Sequence, residues 1–222
     1  MSRTTPTAAR AKQGEPRWPA LLALLGASFL FYALPPALRA WPDWLVILLV
    51  AGFASPGVFL AHLRQQRSVQ IAGHLAVATT TIAMIGSLYL LVSRLPLHQE
   101  SPPELLRAAT ALWISNILVF AAWYWRLDAG GPHQRDLRES HTDGAFLFPQ
   151  MTLDPKIRVE MGEADWAPNF VDYLFLAFTT STAFSPTDVP VLSRWAKGLM
   201  IIQSLISLTT IALLAARAVN IL

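Results

Sequence analysis

Late in the chain, Phe178 to Asp188 reads FTTSTAFSPTD, a run of hydroxyl side chains interrupted by a proline and closed by an acid. Thr179, Thr180, Thr182, Ser185 and Thr187 each offer oxygen lone pairs and a rotatable O–H, and Asp188 adds a full negative charge. Oxygen groups gathered at membrane depth can replace part of a cation's hydration shell or line a polar path for a small solute. These six residues are therefore candidate pore-lining groups, with Asp188 drawing cations to the mouth. Two more polar side chains fall inside apolar runs. Asn116 needs partners at both ends of its amide, and His74 puts a titratable ring near the start of a span. Thr79, Thr80, Thr81 and Ser115 lie in the same runs, where hydroxyls ordinarily bond back to a carbonyl one turn earlier or tie helices together.

Other chemistries find little footing. Cysteine is absent, which excludes disulfides, thiolate metal sites and cysteine nucleophiles. His62, His74, His98, His133 and His141 have no zinc-site spacing with one another or with acids. His133 and His141 share a solvated loop with Asp136, Glu139 and Asp143, too loosely spaced to define a metal site. There is no nucleophile elbow, phosphate loop or dinucleotide fingerprint. Asp165, Asp172 and Asp188 are the acids left over, and no spacing brings them together. Neither an enzyme nor a bound cofactor is expected. A voltage sensor needs arginines at every third position of a span, and none lies between Arg107 and Arg126.

The elements that must carry these residues are membrane helices. The 222 residues are 54% hydrophobic and 14% charged, well below the quarter or so of charged residues in soluble domains. The fold class expected is an all-α, polytopic membrane bundle with six hydrophobic segments. Five are clear spans: Trp18–Leu34 (stopped by Pro35 and Pro36), Trp44–Leu63 (with a kink expected at Pro56), Ile71–Val92, Leu105–Trp125 and Gly198–Leu214. The remaining segment, Phe170–Phe184, is shorter and polar at its end. Tryptophans 18, 41, 44, 123 and 125 mark span edges, as indoles at the headgroup level do. Four regions follow: a basic disordered tail (1–17), a four-helix bundle (18–125), a polar loop (126–168) and a terminal unit (169–222). Within the loop, GAFLFPQM (144–151) reads as an apolar island lying at the interface.

Charge sets the orientation. With the N-terminus inside, Arg3, Arg10, Lys12, Arg17, Arg64, Arg67, Arg126, Arg135, Arg138, Lys156 and Arg158 fall on the cytoplasmic side, against Arg39, Arg94 and Arg107 outside. The basic pI of about 9.6 follows from this bias and calls for no nucleic acid. The expected location is the inner (plasma) membrane.

Residues 170–200, FVDYLFLAFTTSTAFSPTDVPVLSRWAKGLM, resemble the pore module of two-helix potassium channels without a gap through the filter. Asp172 matches the aspartate that opens the pore helix, Thr179 and Thr180 the threonine pair, Thr182 the threonine at the filter base and Asp188 the aspartate at its mouth. Pro190 is displaced by one position, and Lys197 stands where the inner helix carries arginine. The resemblance implies a pore helix, a filter and an inner helix. Ser185, Pro186 and Thr187, however, replace Gly-Tyr-Gly, whose backbone angles glycine adopts cheaply and these residues do not. Potassium selectivity is therefore not implied. The segment is also similar to a family of uncharacterised bacterial inner-membrane proteins, a domain of unknown function with an Asp-Tyr-Leu, Ser/Thr-rich turn, Arg and hydrophobic-helix ending.

Segment 169–189 either crosses, giving six spans with both termini inside, or re-enters from the cytoplasmic face. Its length of about 21 residues, near the ~20 a span requires, favours crossing. Two functions are expected from different classes. One is a channel-like or permease-like protein with a polar path for a small ion or solute. The other is a non-conducting scaffold whose cytoplasmic loop binds a partner. The lipid bilayer is the common partner, with a homo-oligomer compatible with either.

Overall fold

Proline, glycine and a few capping side chains set most of the helix ends. The computed structural model describes residues 15–59, 66–94, 101–138, 144–164, 166–182 and 189–219. Helix α1 (Trp18–Leu30) gives way to short 3₁₀ turns at Phe31–Ala33 and Pro36–Leu38. Arg39 closes this end, its guanidinium donating to Leu34 O at 2.9 Å and Tyr32 O at 3.2 Å. Helix α2 (Asp43–Phe59) is assigned as one helix through Pro56, and α3 (Gln66–Arg94) follows. Helix α4 (Pro102–Leu127) opens on two prolines, whose missing N–H groups have no partner in a first turn anyway. The Glu104 carboxylate accepts the Ser101 N–H at 3.0 Å and its O–H at 2.7 Å.

Past α4 the chain turns sharply through Ala129, Gly130 and Gly131, with φ of 51°, 81° and 90°. A Cβ at position 131 would lie 2.7 Å from the Arg126 carbonyl oxygen, so this turn admits glycine alone there. Short helices α5 (Pro132–Asp136), α6 (Pro149–Thr152) and α7 (Pro155–Glu160) lead to α8 (Phe170–Thr182) and α9 (Arg194–Val219). Asn169 and Asp172 cap α8 reciprocally: Asp172 accepts the Asn169 N–H at 2.7 Å and Asn169 accepts the Val171 N–H at 2.8 Å.

The chain is all-helical among the described residues, apart from one isolated bridge between Phe146 and Val191. Among the described residues, three helical stretches are long and apolar enough to cross a membrane: Arg67–Arg94, Pro102–Gly130 and Arg194–Ala216. Helix α4 is the centre, packed against α1, α3, α8 and α9. Its buried Ala108, Ala109, Ala111, Ala121 and Ala122 let neighbouring backbones come close.

The two ends of the bundle are distinct. Glu15, the end of α4, the start of α8 and the start of α9 meet at one end, through Trp125, Tyr173, Phe146 and Trp195. At the other end, Ser87 of α3 accepts the Ala40 N–H at 3.3 Å. Helices α8 and α9 thus start at the same end and run in parallel, with Gln203 of α9 reaching Ala177 and Ser181 of α8. At 1.5 Å per residue α8 is only about 20 Å long, so Thr182 lies at mid-depth. Val189 to Leu192 are back at the Trp125 end, where Leu147 N–H donates to Pro190 O at 2.9 Å and Leu192 N–H to Ala145 O at 2.8 Å. Helix α8 therefore does not carry the chain from one end of the bundle to the other, and the full crossing favoured by segment length is not seen.

Loop 126–168 also differs from expectation, at the apolar island read as lying at the interface. Its island does not lie on the surface. Phe146 and Phe148 are buried among Tyr124, Tyr173, Trp166 and Trp195, at ring separations of 5.3 to 6.2 Å. The physical reason is a hole between the ends of α4, α8 and α9, which two inward phenyl rings fill better than lipid could.

Candidate functional site

Four of the eight polar candidates from the sequence sit on α4 and α8, and the structure separates them by which face they occupy. Asn116 is fully buried in mid-α4, and its amide nitrogen donates to Ser207 Oγ at 2.8 Å and to Gln203 O at 3.2 Å. Gln203 is the hub. Its amide nitrogen donates to Ala177 O and to Ser181 Oγ, both at 2.7 Å, while its Oε1 accepts the Tyr124 hydroxyl at 2.5 Å. Asn116, Tyr124, Ser181, Gln203 and Ser207 form one polar seam joining α4, α8 and α9, all but sealed from solvent. Asn116 Oδ1 is left without a protein partner.

The threonine candidates are not in that seam. Thr179 bonds back to Phe175 O and Leu176 O, Thr180 to Leu176 O, and Thr182 to Phe178 O and Thr179 O. All three are half-buried, with each O–H turned onto its own helix, which leaves the hydroxyl lone pairs to accept from another donor or to meet a cation. Ser185, Thr187 and Asp188 lie outside the described residues. His74 is on α3, away from α8. Its Nδ1 lies 2.7 Å from Gln70 O, and its ring is 6.2 Å from Trp123. Thr80 and Thr81 bond back one turn, and Thr81 also accepts the Trp123 indole N–H at 2.9 Å.

A second cluster forms the floor under α8. Asp128 is fully buried and accepts the Tyr173 hydroxyl at 2.6 Å and the Ala145 N–H at 2.5 Å. Arg135 donates to the last carbonyls of α4, Trp125 O at 2.8 Å and Asp128 O at 3.0 Å, and to Glu15 Oε2 at 2.7 Å. Its guanidinium also covers the Tyr173 and Trp125 rings, at 5.2 and 5.9 Å. Burial pushes the Glu15 carboxyl above the ordinary glutamate range, and the Arg135 charge only partly offsets this. The cluster ties the N-terminal segment, the end of α4, the start of α8 and the loop carrying Phe146 into one rigid base.

Four seam members, Tyr124, Ser181, Gln203 and Ser207, were not singled out from sequence. A spacing signal existed for each. Asn116 and Tyr124 are eight apart on α4, Ala177 and Ser181 four apart on α8, and Gln203, Ser207 and Thr210 fall at i, i+4 and i+7 on α9. Comparison with known proteins finds no match to a family model, a curated protein or a solved structure.

Proposed function

We propose that this chain is a channel-like or permease-like membrane protein of the inner (plasma) membrane, with its N-terminus cytoplasmic and α8 the descending limb of a re-entrant segment. The observation that carries this reading is the parallel course of α8 and α9 from one end of the bundle. Thr182 ends α8 away from that end of the bundle, and Val189 is back at it. Ser181 pairs with Gln203, nine positions beyond Arg194, which is about 14 Å along the helix axis. Seven extended residues reach up to about 25 Å, so the return is within range.

Non-helical backbone at membrane depth is tolerated only where protein covers it or water fills the space beside it. The lone pairs of Thr179, Thr180 and Thr182, and the partial negative charge at the end of α8, suit a hydrated cation at that point. Asp188, the acid that closes the hydroxyl run in the sequence, supplies the negative charge expected to draw cations. The face carrying Arg17, Arg67, Arg126, Arg135 and Arg138 also gains Arg194 and Lys197, which strengthens its assignment to the cytoplasm. In this arrangement five segments cross and the sixth re-enters.

Flux through liposomes containing the purified chain tests the proposal. Passage of a small cation, reduced in Asp188→Asn, is expected; silence toward cations, anions and small neutral solutes overturns it. A second reading, a non-conducting scaffold, draws support from the sealed seam and from the rigid base under α8. Silent vesicles together with a stoichiometric partner, lost on deleting 136–156, favour that reading.

A further inference from the structure

At the Trp125 end, Arg126 has no anion beside it among the described residues. Arg126, in the last turn of α4, presses its guanidinium against α3 at Gly73. A Cβ at position 73 would run into Cζ and both terminal nitrogens of that guanidinium. Arg126 Nε is buried without a partner, and no hydrogen bond or ion pair of this side chain occurs among the described residues. The neighbouring acids are engaged elsewhere. Glu15 holds Arg135 at 2.7 Å, Asp136 faces Arg17 at 3.9 Å and accepts the Glu15 N–H, and Asp128 accepts Tyr173 and Ala145. Arg17 belongs to the same corner: it faces Asp136, which accepts the Glu15 N–H, Glu15 accepts the Trp125 indole N–H, and the Arg126 guanidinium lies 5.6 Å from that Trp125 ring.

A half-buried guanidinium beside a second cation is unfavourable unless an anion joins them. Glycine in a helix interior is itself destabilising relative to alanine, yet Gly73 is what makes room for this placement. Arg126 lies one turn from the end of a stretch able to cross a membrane, the level of lipid headgroups. Trp18, next to Arg17, is exposed at the same end, as headgroup-level indoles are. Paired guanidiniums match the oxygens of a phosphate with parallel, charge-assisted hydrogen bonds. We propose that Arg126 and Arg17 bind the phosphate of an anionic lipid headgroup at the corner where α1 begins and α4 ends against Gly73 of α3. This rests on α3 and α4 being membrane spans and is independent of whether α8 serves a pore.

The full chain, purified and delipidated, is titrated with phosphatidylglycerol, phosphatidylcholine and inorganic phosphate, with bound lipid counted by native mass spectrometry and protection read by thermal shift. Phosphatidylglycerol is expected to saturate at about tenfold lower concentration than phosphatidylcholine, and Arg126→Gln to abolish the difference. Arg107→Gln, an exposed cation at the opposite end of α4, should leave it unchanged. Equal preference for phosphatidylglycerol in wild type and Arg126→Gln overturns the proposal, as does no preference in wild type. Protection by inorganic phosphate equal to that by phosphatidylglycerol, and lost in Arg126→Gln, assigns the site to a soluble phosphate and overturns the lipid source. Should Arg126→Gln fail to fold, Gly73→Ala displaces the guanidinium with its charge retained and must show the same loss; unchanged affinity there is equally fatal.

Discussion

Replacing Gln203 by leucine should unfasten α8 from the bundle, and the cost can be worked from its contacts. The side chain makes three hydrogen bonds, to Ala177 O, Ser181 Oγ and the Tyr124 hydroxyl. Interhelical hydrogen bonds in membranes are worth about 0.6 kcal/mol on average and at most about 1.7. Two of the freed groups recover. Ala177 O keeps its place in the α8 ladder, and Ser181 can turn its hydroxyl back onto that carbonyl one turn earlier. The Tyr124 hydroxyl is fully buried and left without its acceptor, which costs about 1–3 kcal/mol. The net loss for Gln203→Leu is therefore about 2 kcal/mol. Tyr124→Phe alone should cost about 1 kcal/mol, whereas in the Gln203→Leu background it removes the stranded hydroxyl and should recover about 1 kcal/mol, giving a coupling of about 2 kcal/mol. Reversible unfolding in mixed micelles, followed by helical circular dichroism, measures all four corners of this cycle. Purely additive losses, or a Gln203→Leu protein as stable as wild type, would refute the seam as the fastening of α8.

Other sites give further outcomes. Phe146→Ala empties the hole between the ends of α4, α8 and α9 and should cost about 3–5 kcal/mol in the same unfolding assay. Ala129 is held at φ 51°, so Ala129→Gly should raise stability by up to about 1 kcal/mol, whereas Gly131→Ala, blocked by Arg126 O, should lower it. Because burial raises the Glu15 pKa, the folded chain holds that proton more firmly than the unfolded one. Glu15's contribution is then greatest below the unfolded carboxylate pKa and falls as pH rises through the raised folded value. Melting temperatures taken across this window should show the fall in wild type and its absence in Glu15→Gln.

The helices were legible in the sequence because membrane spans announce themselves by length and apolarity. Among the described residues three of the expected spans are long and apolar enough to cross, with α3 extended to Gln66–Arg94 and α9 to Arg194–Val219, while α1 stops at Leu30, short of the expected Leu34. Asn116 was legible as well, since a mid-span amide has few places to go but a neighbouring helix. Its partners were harder to see. Gln203 sits in a strongly apolar run, where only its spacing from Ser207 and Thr210 distinguishes a buried stripe from scattered polar residues. The threonines drew attention as a run, yet consecutive helical residues point in different directions, so only Ser181 of that group reaches the seam. The course of α8 was not readable from length. What decides it is the pairing of 145–147 with 190–192, two stretches over forty residues apart with no shared pattern.

Because the chain has no cysteine of its own, single introduced cysteines report on which side of the membrane α8 begins and the chain after it emerges. Leu137 and Leu192 are exposed and flank α8 on either side, and Ala216 is exposed near the far end of α9. Each is replaced by cysteine and treated with a membrane-impermeant maleimide in intact cells and in inverted vesicles. A re-entrant α8 predicts that positions 137 and 192 label from the same, cytoplasmic, side and position 216 from the opposite one. Labelling of position 192 from the side opposite position 137 would mean that α8 crosses, and the account would fall.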